Sequence, residues 1–400
     1  MSVQYDHQAN SSPHVPDPED AAPIALFLRL CGVRVAPPLI RAQLYNLGIT
    51  FSETDWQSLG ICARVEGMSA LVFAHASEAG LLPAMPAEVI EALQEYYGRS
   101  WLWNRRLRGE QSRIIALLAT QGIEVMVMKG VTLAERLYGE IALRPIGDID
   151  LLVRPEDISA CGRVLAANGY APQPGRATPS QWHALVNRAL ALRHSEGFAL
   201  DVHWALTSQP AYVASFPLAE IWRSARRIQL AGHPARQLST ADELRFLCFH
   251  YAAQHEDKRL IWLVDIAEIL RTLPVSWDWE PFTATTSARG LAMPVSEALR
   301  AAAATLAAPI PTDVLDALAE AAARPGEQAA WRAARTNRRG LRAMYDHIRA
   351  QRGVWGQLNF AWQGFLWHGA LPAWQRFIAL RRALPVPPPP PLFPPPYPPR

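Results

Sequence analysis

The stretch Gly147-Asp148-Ile149-Asp150-Leu151-Leu152-Val153 leaves this chain few ways to fold. Side chains of an extended strand alternate between its two faces. Asp148 and Asp150 therefore share one face, about 6.5–7 Å apart, while Ile149, Leu151 and Val153 line the other. Such a strand buries its apolar face against a core and carries two like charges on a rigid element. Those charges repel unless one carboxyl is protonated or a cation sits between them. A hard divalent ion with oxygen ligands, Mg²⁺ first, is the simplest compensation. The competing reading is a sheet edge with two solvated aspartates.

The neighbouring sequence supplies a sheet. At Gly122 the period changes: Ile123 to Met128 is short, β-prone and bounded by Gly122 and Gly130, and reads as a buried strand. A short helix follows from about Val131 to Tyr138, then a loop carrying Arg144-Pro145-Ile146-Gly147, a strand Asp148 to Val153, and a helix from about Pro155 to Asn168. Ala189 to His194 with Phe198 to Trp204 form one hairpin; Arg226 to Leu230 with Ala235 to Leu238 form another, turning at Gly232. Lys129-Gly130 ends the first strand and opens a helix. That geometry offers backbone N–H groups to a phosphate with a lysine beside them, although a structural glycine turn explains the pair equally well.

Helical patterns flank this α/β segment, and length alone favours two or three domains for 400 residues. We expect a disordered leader over 1–22, a helical N-terminal lobe over 23–121, the α/β core over 122–238, a helical region over 239–382 and a proline-rich disordered tail over 383–400. The helical region opens on the cap Ser239-Thr240-Ala241-Asp242-Glu243. In the tail, 11 of the 17 residues from Leu384 to Arg400 are proline, which favours polyproline II over a packed element. The aromatic segment 355–380 reads as core packing rather than an interfacial membrane helix, since Gly364, Gly369 and Pro372 interrupt it.

Composition excludes several classes. Half the residues are hydrophobic, so the chain is not wholly disordered, and no apolar run approaches the roughly 20 residues of a transmembrane helix. The net charge of +3 argues against nucleic acid as a partner. Four scattered cysteines form neither a zinc pattern nor a disulfide framework. The polar, acidic N-terminus lacks the order of a signal peptide, which leaves the cytoplasm as the expected location. Only two of the 39 basic residues, Lys129 and Lys258, are lysine.

The order Met128-Lys129-Gly130, Leu137-Tyr138, Arg144-Pro145 and Gly147 to Val153, continued by Leu200-Asp201-Val202-His203-Trp204 and by Leu247, His250, His255, Trp262-Leu263 and Asp265-Ile266-Ala267, resembles the bacterial uncharacterised nucleotidyltransferase family. That family lies within the DNA polymerase β-like nucleotidyltransferase superfamily. Composition and spacing alone give only a metal site on an α/β core. The resemblance implies an α+β fold with a small mixed sheet, and two Mg²⁺ ions, replaceable by Mn²⁺, bound by Asp148, Asp150 and Asp201. It implies a metal-dependent enzyme that moves a nucleoside monophosphate from a nucleoside triphosphate, ATP among them, to an acceptor hydroxyl with release of pyrophosphate. Asp201 would also take up the acceptor proton, unless it is a plain surface strand residue.

The superfamily's Gly-Ser turn is Gly130-Val131 here, so the usual hydroxyl is missing, and Lys129 or Arg144, with Gly130 and Gly147, is expected to contact phosphate. His203 would touch a metal or the acceptor, or simply bond to a carboxylate beside it. For His250, His255, Asp257 and Asp265, capping or packing outweighs a second metal site, because positions 250 and 255 fall on different faces of a continuous helix. Lys258 reads as a surface residue. Two other readings remain: a non-catalytic nucleotide- or partner-binding protein on the same fold, and a phosphotransferase that releases a nucleoside diphosphate.

Overall fold

The computed structural model describes residues 26–27, 30–32, 51–172, 188–254, 258–335 and 354. The expected leader, the aromatic segment 355–380, the proline-rich tail, His255 and Asp257 lie outside those residues.

From residue 51 the described chain opens with three helices. Helix α1 (Glu53–Val65) starts at a reciprocal cap in which the Asp55 N–H donates to Ser52 Oγ and the Ser52 N–H donates to Asp55 Oδ2. After α2 (Ser69–Glu78), the 34-residue helix α3 (Ala87–Thr120) runs about 50 Å at 1.5 Å per residue. The α/β segment follows as β1 (Val125–Val127), α4 (Val131–Tyr138), β2 (Ile149–Val153), α5 (Ile158–Ala167), β3 (Tyr170–Pro172), β4 (Ala189–His194), β5 (Ala199–His203), the single turn α6 (Pro210–Val213), α7 (Leu218–Ser224), β6 (Arg226–Leu230) and β7 (His233–Gln237). Helix α8 (Thr240–Phe249) runs into a π-turn at His250–Gln254, and α9 (Leu260–Thr272), α10 (Trp279–Ala288), α11 (Ala292–Leu306), α12 (Thr312–Ala322) and α13 (Pro325–Arg335) complete the described chain.

The seven strands form one mixed sheet in the order β3-β4-β5-β2-β1-β7-β6. β1 pairs antiparallel with β2 and parallel with β7, and β2 pairs parallel with β5. The α+β class expected from the sequence is the one found. Both hairpins are present, at β4–β5 and β6–β7. The short edge strand β3 carries no sequence signal of its own and ends on Pro172, which an edge tolerates because the missing N–H would face outward.

Period-2 alternation gives the sheet two different faces. Val125, Val127, Ile149, Leu151, Val153, Leu200 and Val202 pack with Leu107, Ile114, Ile115 and Leu118 of α3 and with Cys161 and Leu165 of α5. Met126, Met128 and Leu152, on the opposite face, belong to a larger core. It joins Trp56, Leu59 and Leu71 of the N-terminal helices to Leu247, Phe249, Leu263 and Ile266 of α8 and α9. Helices that are distant in sequence thus share one interior.

Three side chains of α3, spaced i, i+3 and i+4, hold the loop that leads into β2. Ser100 Oγ donates to the Ala142 carbonyl (2.6 Å) and Trp103 Nε1 to that of Ile146 (3.0 Å). Asn104 Nδ2 donates to the carbonyls of Ile141 (2.6 Å) and Arg144 (2.8 Å), and Asn104 is fully buried. Replacing it with Leu leaves two buried carbonyls without donors. We expect Asn104→Leu to lower unfolding stability by roughly 2–3 kcal/mol, read as a lower urea midpoint at unchanged slope.

Candidate metal and nucleotide site

The parallel register of β2 and β5 sets Asp150 beside Asp201 and Leu152 beside His203. Asp201 and His203 are two residues apart and share a face with Asp150, opposite the face that packs on α3. One ligand atom from each of Asp150, Asp201 and His203 lies within 4.8 Å of the other two. His203 Nε2 is 3.1 Å from Asp150 Oδ1, and Lys129 Nζ is 3.3 Å from Asp150 Oδ2. Lys129 Nζ also lies 3.2 Å from His250 Nε2.

Electrostatics separates the two aspartates of the Asp-x-Asp pair. Asp150 is 3% exposed, and burial alone would raise its pKa; the Lys129 ammonium and His203 outweigh that and pull it below the usual carboxylate range. Asp148 is pushed up to about 6, first by the negative charge of Asp150 and then by burial, against the pull of Lys129. β2 begins at Ile149, so Asp148 stands one residue before the strand, half-buried, and is not one of the three converging groups. Its charge is nevertheless felt by Asp150, Asp201 and Lys129. Burial opposes the charge on Lys129, and Asp150 and then Asp148 more than restore it.

Among the glycines, Gly130 is the N-cap of α4 at φ 73° and ψ −128°, a conformation that a side chain makes costly. Gly147 is exposed, its φ is ordinary, and a Cβ there would meet nothing within 4 Å. The structure thus gives a steric reason for glycine at 130 and none at 147.

Arg144 is paired with a carboxylate distant in sequence. Its Nε and Nη2 donate to Asp265 of α9 at 2.9 Å and 2.8 Å, and Tyr138 Oη donates to the same carboxylate at 2.7 Å. Arg144 is 5% exposed and Asp265 fully buried. Nε and Nη2 are engaged by this carboxylate, so Arg144 fixes the loop before Asp148. Asp265 thereby takes the packing role favoured for it from sequence. Lys258 pairs with Glu297 and lies over the Tyr251 ring.

The sequence model of the uncharacterised nucleotidyltransferase family matches residues 52–307. The chain belongs to that family. No curated protein matches the sequence. Among solved structures, the chain is similar to an antigenic nucleotidyltransferase-like protein from Paracoccidioides brasiliensis, at 16% identity and a TM-score of 0.34, over 53% of this chain and 92% of that one.

The matched region of this nucleotidyltransferase family member contains every site residue above, and the donor set fits a divalent cation. Two carboxylates and an imidazole converge, and Asp150 Oδ2, buried, meets no hydrogen bond of good geometry despite the nearby ammonium. Carboxylate donors suit a hard divalent ion such as Mg²⁺ or Mn²⁺. Sequence reasoning missed the α3 clamp, the π-turn that bears His250 and the true partner of Arg144. The i, i+3, i+4 spacing of Ser100, Trp103 and Asn104 was the available signal for the first. Arg144→Met should lower stability by about 3–5 kcal/mol because Asp265 is left buried without its cation, whereas Arg144→Met with Asp265→Leu should recover most of it; urea denaturation of both variants measures the difference.

Proposed function

We propose that this chain is a Mg²⁺-dependent nucleotidyltransferase that moves a nucleoside monophosphate from a nucleoside triphosphate to an acceptor hydroxyl, releasing pyrophosphate. The observation that carries the reading is the convergence of Asp150, Asp201 and His203 on neighbouring parallel strands, with Asp148 and Lys129 beside them. Divalent ions, two in number and replaceable by Mn²⁺, supply charge neutralisation and lower the pKa of the attacking hydroxyl. Asp148, Asp150 and Asp201 hold them, and Asp201 accepts the proton as the hydroxyl oxygen bonds to the α-phosphorus and the bond to pyrophosphate breaks. Lys129, Gly130 and the N–H groups opening α4 contact the phosphates, with Gly147 keeping the approach to Asp148 free of a side chain. His203 orients Asp150 through its 3.1 Å contact.

In this reading residues 122–238 are the catalytic core, and the helical region after it, which brings His250 to Lys129, closes over the site. Among the described residues no helix is long and apolar enough to cross a membrane. We place the activity in a reducing compartment, the cytoplasm, since all four cysteines are free thiols.

Incubation of the pure protein with labelled ATP, GTP, CTP and UTP, Mg²⁺ and cell lysate tests the reading. A labelled species should appear with at least one nucleotide, and Asp150→Asn should reduce it by more than about 100-fold, beyond what loss of a supporting residue costs. Nucleotide binding without any product would instead favour a binding protein, and nucleoside diphosphate as product a phosphotransferase. The metal can be tested alone: Mn²⁺ at about 100 times its dissociation constant should add about 2.7 kcal/mol of stability to the wild type and nothing to Asp150→Asn, read by thermal unfolding.

A further inference from the structure

We propose that His250 is a positioning residue that accepts a hydrogen bond from the Lys129 ammonium on Nε2 and so keeps this lysine at the site when Asp150 is engaged by a cation; the inference rests on the function proposed above.

Lys129 is one of two lysines in the chain, and its ammonium has two contacts within the site, Asp150 Oδ2 at 3.3 Å and His250 Nε2 at 3.2 Å. A lysine stem is flexible, and an ammonium anchored only to Asp150 would compete with any divalent ion for that carboxylate. A second, uncharged acceptor changes this. With His250 engaged, the ammonium keeps one fixed partner after Asp150 turns to a cation, and its remaining hydrogens stay available to a triphosphate. A lysine only donates, so the contact requires Nε2 to be the unprotonated ring nitrogen, with the proton of the neutral ring on Nδ1.

The fold holds the imidazole in place. His250 is 4% exposed, and its ring meets Trp262 edge-on at a centroid distance of 4.6 Å. It is the first residue of the π-turn that follows α8, and such turns cluster at functional sites. The far end of the turn is tied down by Thr207 Oγ1, which donates to Gln254 Oε1 at 2.9 Å, and by Gln209 Nε2, which donates to the Ala253 carbonyl at 3.1 Å. Thr207 and Gln209 directly follow β5, the strand that carries Asp201 and His203. The strand bearing the converging ligands and the turn bearing His250 are thus joined through one short segment.

The scarcity of lysine makes the test site-resolved. The full-length protein, without nucleotide or added metal, is acetylated with an N-hydroxysuccinimide ester, and the rates at Lys129 and Lys258 are followed by peptide mass spectrometry in wild type, His250→Gln and His250→Leu. We expect Lys129 to react faster in His250→Leu by about tenfold, the equivalent of one charge-assisted hydrogen bond, and at close to the wild-type rate in His250→Gln, whose amide oxygen still accepts. An unchanged rate in His250→Leu, or an equal rise in both variants, would overturn the proposal, the latter because it marks loss of ring packing. Should His250→Leu fail to fold, nitrogen-15 spectra of the wild type decide: an unprotonated Nε2 at His250 supports the proposal and a protonated Nε2 refutes it. Neither measurement needs turnover, so failure of nucleotide transfer and failure of this inference are told apart.

Discussion

The fork between Arg144 and Asp265 ties the loop that leads into the site to the helix α9. The loop from Gly139 to Asp148 must deliver a carboxylate to a place where Asp150 already repels it. The loop's own turn, in which the Ala142 N–H donates to the Glu140 carboxylate and the Leu143 N–H to the Glu140 carbonyl, shapes only its first half. Arg144 then reaches across 121 residues to a fully buried Asp265, with Tyr138 closing the same carboxylate from α4. Buried ion pairs add little net stability over apolar isosteres, because desolvation consumes most of the Coulomb gain. What the pair supplies is direction: an unpaired guanidinium or carboxylate in that interior is costly enough that only one loop arrangement satisfies both. The clamp from α3 works with it from the other side, through Ser100, Trp103 and Asn104.

Two basic side chains near the acidic cluster have different partners. Arg144, whose charge is felt at Lys129, is paired with Asp265. Lys129 is the cation that reaches Asp150, and its contact is long and poorly aligned, so Asp150 Oδ2 stays without a proper hydrogen bond. A lysine suits that position better than an arginine would. Its ammonium is a compact point charge that can change partners, whereas a guanidinium would lock bidentately onto the carboxylate and hold it.

How far the sequence spoke depended on the range of the interaction. β2, β5 and the two hairpins were legible because alternation and glycine turns are written within a few residues of one another. Asp150 was read from the same periodicity, whereas Asp201 came from the family resemblance, and His203 shares its face because it lies two residues further along β5. Asp148 was assigned to the strand and lies one residue before it, the usual margin for an element's end. Arg144 was read as a phosphate contact because the local pattern shows a loop arginine near acidic residues; its true partner is distant in sequence, and nothing between positions 144 and 265 announces the pairing. His250 was weighed on the assumption of a continuous helix, and the π-turn found there is tied to Thr207 and Gln209, again partners distant in sequence.

The same periodicity explains why the core and the site cannot vary independently. In β2 and β5 the apolar residues Ile149, Leu151, Val153, Leu200 and Val202 alternate with Asp150, Asp201 and His203. A one-residue slip of β5 within its own plane of pairing would send Asp201 and His203 into the interface with α3 and expose Leu200 and Val202. Burying two such polar groups without partners costs several kcal/mol, while the apolar residues lose their transfer energy at about 25 cal/mol per Å². The register that places Asp150 beside Asp201 is therefore selected by the hydrophobic face, and the acidic site is assembled by the packing on its reverse side.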